Sequence, residues 1–226
     1  MKFFFNIFVL CLLWFVCSCG VPRHIRKAYS GCYNSISSKN DTLLDLSGCF
    51  ALNCPYIGTF SGITYCVVNF YEDGIVVRTT ATTSIPDDFP ERIQRKFHQI
   101  SSKTFDLDDQ KLYREGRGMY RWGIYELKGD TIKAQFINRP YPPEKYSSYL
   151  VMYKVIDRHT IQEISNKEVL PPKKFESEYR VKPFLNKFYN FIPIEKPSSS
   201  DCWLKEEKWF WCNEEDRNEY KRQIKK

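Results

Sequence analysis

Three short turn signals, each set between apolar or alternating runs, constrain this chain more than any other feature. Glu72-Asp73-Gly74 separates Ile63 to Tyr71 from Ile75 to Thr83. Gly129-Asp130 separates Met119 to Lys128 from Thr131 to Ile137, and Asp157-Arg158-His159 separates Tyr149 to Ile156 from Thr160 to Ile164. Asp-Gly between β-branched and aromatic runs is a strong hairpin signal. Thr131 to Ile137 alternates cleanly, with Ile132, Ala134 and Phe136 on one face and Thr131, Lys133 and Gln135 on the other, the pattern of a half-buried strand. The expected fold is therefore mostly β, an antiparallel meander of six to eight strands that closes as a barrel or stacks as a sandwich.

The remaining elements attach to this core. Leu43 to Leu52 is a strand, bent or broken at Gly48. Asp87 to His98 predicts one inserted helix, capped by Asp87 or Asp88, with Pro90 in the first turn and Ile93 and Phe97 one helical turn apart. Tyr179 to Ile194 is interrupted by Pro183 and Pro193, which predicts an edge strand or an extended wrap. Asn213-Glu214-Glu215-Asp216 opens a short C-terminal helix that Lys221, Arg222, Lys225 and Lys226 close in the favourable dipole sense. Residues 20–42 are polar, lack apolar periodicity, and are expected to form a tether. The β-domain is then 43–165, and 166–226 is an extended segment with an aromatic hairpin and a terminal helix, packed on it.

The first residues have a different character. Lys2 is followed by an apolar run, Phe3 to Val16, interrupted only by Asn6, and then by Cys17-Ser18-Cys19-Gly20. The run is shorter than the ~20 residues a spanning helix needs and fits the core of an export signal. The segment resembles a bacterial lipoprotein signal, with Val16-Cys17-Ser18-Cys19 in the four positions of the lipobox. Cys11 lies inside the run and Cys17 follows the bulky Phe15-Val16, so neither competes. The resemblance implies removal of residues 1–18, cleavage between Ser18 and Cys19, and lipidation of Cys19. Two or more acyl chains hold a protein stably to a bilayer. It also implies an envelope location, and Gly20 in place of an aspartate points to the outer membrane, facing the periplasm. The run from Arg121 to Ile132 looks like the hairpin unit of small envelope lipoproteins with a lipocalin-like barrel.

Composition narrows the partners. Of 226 residues, 208 remain after residues 1–18 are removed, and the formal net charge falls from +7 to +6 with the loss of Lys2. That length suits one domain with an appendage. An exported chain does not meet nucleic acid, so the basic balance serves solubility or attraction to anionic envelope components. The expected partners are the membrane, through the N-terminal lipid, and an envelope protein or a small apolar or glycan ligand.

Nine cysteines, less Cys11 and Cys17 in the leader and lipidated Cys19, leave six: Cys32, Cys49, Cys54, Cys66, Cys202 and Cys212. An even number in an exported chain predicts disulfides. The simplest pairing joins Cys202 to Cys212 and makes two bridges among the first four. No Cys-x-x-Cys occurs, and His24, His98 and His159 lie at no ligand spacing from a cysteine, so no metal is expected.

No G-x-S-x-G, H-E-x-x-H, phosphate-binding loop or dinucleotide fingerprint is present, and no cofactor is expected. His98, at a helix end, and His159, in a turn, are expected to cap or face solvent. The pairs Asp87-Asp88 and Asp108-Asp109 are explained by capping and solvation. Trp203, Trp209 and Trp211 are the candidate binding aromatics, since exposed tryptophans stack on sugars or fill a partner's pocket. Packing is the competing explanation, because such large apolar areas rarely stay open. The functional expectation is a lipid-anchored, non-enzymatic envelope protein whose β-domain binds a ligand or a partner. The alternative is a hydrolase acting on envelope glycans or esters.

Overall fold

The computed structural model describes residues 21–29, 32–33, 43–54, 63–83, 91, 93–94, 120–138, 146–168, 187–195 and 202–223. Eight strands form a closed antiparallel barrel: β1 (Gly48–Cys54), β2 (Ile63–Phe70), β3 (Ile75–Thr83), β4 (Arg121–Lys128), β5 (Thr131–Asn138), β6 (Ser147–Asp157), β7 (Thr160–Glu168) and β8 (Lys187–Pro193). Each strand pairs with the next in sequence, and β8 returns to β1. All three hairpins form where the turn signals place them. Gly74 and Gly129 adopt φ of 83° and 58°, which side chains other than glycine rarely accept.

Closure overturns one expectation. Lys187–Pro193 is not an edge strand or a wrap, because it is bonded to β7 on one side and β1 on the other. Pro193 is tolerated because it is the last residue of its strand, where a missing N–H removes little from the ladder. It stands opposite Gly48, the first residue of β1, so the expected bend at Gly48 is the point where pairing begins. A Cβ on Gly48 would collide with the Ile192 carbonyl oxygen, so the seam requires glycine there.

The barrel has an apolar layer on each side of its wall. Inside, Phe50, Phe70, Phe136, Ile132, Val151 and Ile161 are buried. Their rings meet edge to face, as in Phe50–Phe70 at 6.0 Å and Phe70–Tyr125 at 5.0 Å between centroids. Such pairs contribute about 0.5–1.5 kcal/mol each beyond area burial. Outside, Cys49, Val67, Val77, Trp122 and Ile137 form a second core on β1 to β5.

Both ends of the chain cover that outer core. Helix α1 (Arg23–Ala28) is too short to persist alone and is held by packing of Ile25, with Tyr29 just beyond its end. The described part of the expected tether, residues 21–29 and 32–33, is packed rather than free, since Val21, Ile25, Tyr29 and Tyr33 are all buried; the rest of 19–42 lies outside the described residues. On the C-terminal side two 3-10 turns, Trp203–Glu206 and Lys208–Phe210, replace the expected aromatic hairpin. Helix α2 (Glu214–Gln223) follows, with Asn213 Oδ1 accepting from the Asp216 amide at 2.8 Å as the expected cap.

The two covers are joined to each other and to the barrel. Tyr33 and Trp211 form a parallel bridge, and its two hydrogen bonds are Tyr33 N–H to Phe210 O and Cys212 N–H to Tyr33 O. This register sets Cys32 beside Cys212, and the two form a disulfide across 180 residues of sequence. The Cys202–Cys212 pairing is thereby corrected. The two residues are near in sequence, which makes their pairing the simplest, but the 3-10 turns between them leave Cys202 as a buried free thiol. Burial pushes that thiol up to about 12. Lys205, only 5 % exposed, reaches Asp73 in the β2–β3 turn at 2.8 Å. Of the expected inserted helix, Glu91, Ile93 and Gln94 are helical and Ile93 is buried; the rest of Asp87 to His98 lies outside the described residues. No described helix is long and apolar enough to cross a membrane.

Candidate functional site

The two ends of the barrel differ. At one end the strands turn tightly through Tyr71–Gly74, Gly129–Asp130 and Arg158–His159. From the other end leave the long connections, residues 55–62, 84–120, 139–146 and 169–186. The apolar rings of Phe50, Phe70 and Phe191 fill the lumen toward the tight turns. Toward the long connections the inward positions become polar, and there the candidate site lies.

Strand alternation fixes which side chains enter it. Arg78 shares the inward face of β3 with Val76, and Arg121 shares that of β4 with Tyr125, whose ring packs on the inner core. Arg78 and Arg121 are direct cross-strand partners. Glu163 follows Ile161 inward on β7 and is register-paired with Tyr153 of β6. The register slips between Met152 and Tyr153, leaving Ile164 unpaired. That bulge restores Asn166 to the inward face, where its Nδ2 donates to Glu163 Oε1 at 3.1 Å.

One carboxylate is fully engaged. Glu163 Oε2 accepts from the Tyr189 hydroxyl at 2.7 Å and from Arg78 Nη2 at 3.2 Å. Burial alone would raise its pKa, but Arg78 and the Tyr189 hydroxyl overcome this and hold the carboxyl below the usual range. Arg78 reaches across the lumen from β3 to do so, and the same Nη2 also donates to the Tyr189 oxygen at 3.1 Å. Burial opposes the charge on Arg78 too, yet the surrounding Tyr153 and Tyr189 oxygens and Glu163 keep it firmly protonated.

The cations outnumber the acid. Arg121 lies over the Tyr149 ring at 5.3 Å and makes no ion pair with a carboxylate among the described residues. Its pKa is lowered, first by burial and also by the like charge of Arg78. Cross-strand partners stand roughly 5 Å apart at Cβ, and like charges directly opposite are destabilising. Lys187, register-paired with Glu163, adds a third cation to this face, and it has interactions of its own. The Tyr153 hydroxyl, fully buried beside Arg78 and Glu163, has no hydrogen-bond partner among the described residues. The cluster can hold an anion; it shows no nucleophile paired with a base.

The residues expected from sequence lie elsewhere. Trp203 and Trp211 are buried in the outer core, and Trp209 is half-buried with its Nε1 donating to Glu207. Their surface is committed to packing. Cys49 is on the outer face beneath the covers, Cys66 is half-buried on the inner face, and the Cys54 side chain lies outside the described residues. Ser18 and Cys19 also lie outside them, as does His98. His159 is 63 % exposed on its turn, 3.5 Å from Asp45. Ser47 Oγ donates to the same Asp45 at 2.6 Å rather than to the imidazole, so Ser47, Asp45 and His159 do not assemble a nucleophile on a base. Among the described residues no three His, Cys, Asp or Glu side chains gather as a metal site.

Arg78, Arg121, Glu163, Tyr153 and Tyr189 were not singled out by sequence. The available signal was a charge on the apolar parity of a strand, as in Val76-x-Arg78 and Ile161-x-Glu163. No protein family, curated protein or solved structure matches this chain.

Proposed function

We propose that this protein is a lipid-anchored, non-enzymatic component of a bacterial cell envelope whose barrel binds a small ligand at its polar end. One observation carries the binding reading: two arginines face each other inside the lumen while, among the described residues, a single carboxylate answers them. Buried like charges on paired strands are costly, and a site that keeps them is arranged for a group that is not part of the fold. The apolar plug toward the tight turns supports entry from the end that bears the long connections. The envelope location and the outer-membrane address rest on the leader, Lys2 to Cys19, alone. No arrangement around His159 favours the hydrolase alternative.

Intact mass and N-terminal peptide mapping of membrane-extracted protein test the anchor. A diacylglycerol-modified peptide that begins at Cys19, with a Cys19→Ala variant left unprocessed or released, is the expected result. An unmodified N-terminus at another residue would refute the anchor and leave the barrel's binding role to be judged separately.

A further inference from the structure

We propose that the polar end of the barrel is a carboxylate-binding site in which Arg121 and Arg78 share one ligand carboxylate beneath Tyr149. The inference rests on the ligand-binding reading above and specifies the ligand's chemistry. Arg78 uses only Nη2 in its bonds to Glu163 and Tyr189, so its other donors remain for a ligand. Arg121, whose guanidinium carbon lies 5.3 Å from the centre of the Tyr149 ring, offers its planar fork and has no acidic partner among the described residues. Two such forks suit the geometry of a carboxylate, which accepts two parallel hydrogen bonds. The unpartnered, fully buried Tyr153 hydroxyl needs an acceptor, and a ligand oxygen beside Arg78 supplies one.

Glu163 is already matched to Arg78 and is bonded by three donors, so among the described residues Arg121 is left without an acidic partner. With Lys187 also on this face, charge admits a monoanion or a dianion, and the walls of the site decide between them. The aromatic walls, Tyr149, Tyr153 and Tyr189, favour a carboxylate that carries an apolar chain. With the far end plugged by Phe50 and Phe70, that chain points toward the long connections.

The test is isothermal titration of the full chain in nonionic detergent with hexanoate, hexanol and inorganic phosphate. Hexanoate is expected to bind, and Arg121→Met to weaken it at least ~tenfold, as loss of a charge-assisted bidentate contact does. Binding of hexanol is expected to be much weaker and indifferent to the substitution. Because Arg121 makes no ion pair among the described residues and is repelled by Arg78, the thermal midpoint of Arg121→Met should equal or exceed that of the wild type. Tyr153→Phe, which removes an unpartnered hydroxyl, should also keep its midpoint while losing about threefold in hexanoate affinity. Equal binding of hexanoate and hexanol overturns the carboxylate assignment and leaves ligand binding standing. Phosphate binding as tightly as hexanoate also overturns it. If no probe binds and Arg121→Met lowers the midpoint, the arginines serve the fold, and both the assignment and the ligand-binding reading fall.

Discussion

Removing the Cys32–Cys212 disulfide should weaken this protein more than any other single chemical change outside its cores. The bridge closes a loop with a sequence separation of 180 residues. The chain-entropy relation gives about 5 kcal/mol for a loop of that size, while removal of native bridges typically costs about 2–5 kcal/mol. The Tyr33–Trp211 bridge and the stacked Tyr33 and Phe210 rings, 5.2 Å apart, still hold the covers together after the bond is gone. We therefore expect a loss of about 3–5 kcal/mol, a large share of the ~5–15 kcal/mol that domains possess. For a chain of this size each kcal/mol shifts the thermal midpoint by ~2–4 °C, so the midpoint should fall by roughly 6–20 °C. The variant is Cys32→Ser with Cys212→Ser, which leaves no odd thiol. Urea unfolding followed by tryptophan fluorescence reads the covers directly, since Trp203, Trp209 and Trp211 all belong to the outer cluster. The denaturant slope should rise as well, because the unfolded chain without its cross-link exposes more surface. A loss under ~1 kcal/mol with an unchanged slope would refute the reasoning and show that packing alone holds the covers.

Asp73→Asn should strand the Lys205 ammonium, which is 5 % exposed between Tyr33 and Tyr220. The expected cost is about 2–3 kcal/mol, less than the ~3–5 kcal/mol of a fully buried pair because Asp73 keeps some solvent contact. A double-mutant cycle with Lys205→Met measures it, and a coupling energy near zero would contradict the ion pair. Glu163 gives the barrel an acid-sensitive term. Its native pKa lies below the ordinary 4.5, so the unfolded chain takes up a proton first as pH falls, and the stabilisation present above that value is lost below it. Thermal midpoints from pH 6 to 3 should therefore drop more steeply for the wild type than for Glu163→Gln; parallel curves would refute the assignment.

What could be foreseen in this fold was local. Each hairpin depends on residues within about ten positions of one another, and the turn residues with their flanking alternation specify it without outside help. Strand β8 depends on β7 and on β1, which lies at the opposite end of the domain, and the prolines of the 179–194 stretch argue against a strand until one sees that Pro183 precedes it and Pro193 is its last residue. The cover formed by residues 21–33 carried a signal that its charges obscured: Val21, Ile25, Tyr29 and Tyr33 recur every fourth position, and all four are buried. The disulfide was not legible, because the Tyr33–Trp211 register that creates it joins the two ends of the chain. The inner cluster was hidden for another reason. An arginine on a strand resembles a solvated charge unless the inward parity of its neighbours is known, and the curvature that turns that face into a lumen is a property of all eight strands.

The burial of Val21 has a mechanical consequence. Only Gly20 separates it from Cys19, a span of at most about 7 Å. If Cys19 carries the proposed acyl chains, such a leash is only about as long as a headgroup region is deep, and the barrel would not swing freely beneath the bilayer. It would ride against the membrane, with the exposed Arg23, His24, Arg26 and Lys27 of α1 close to lipid phosphates. Attachment would then set orientation as well as address, and would limit the directions from which another molecule can approach.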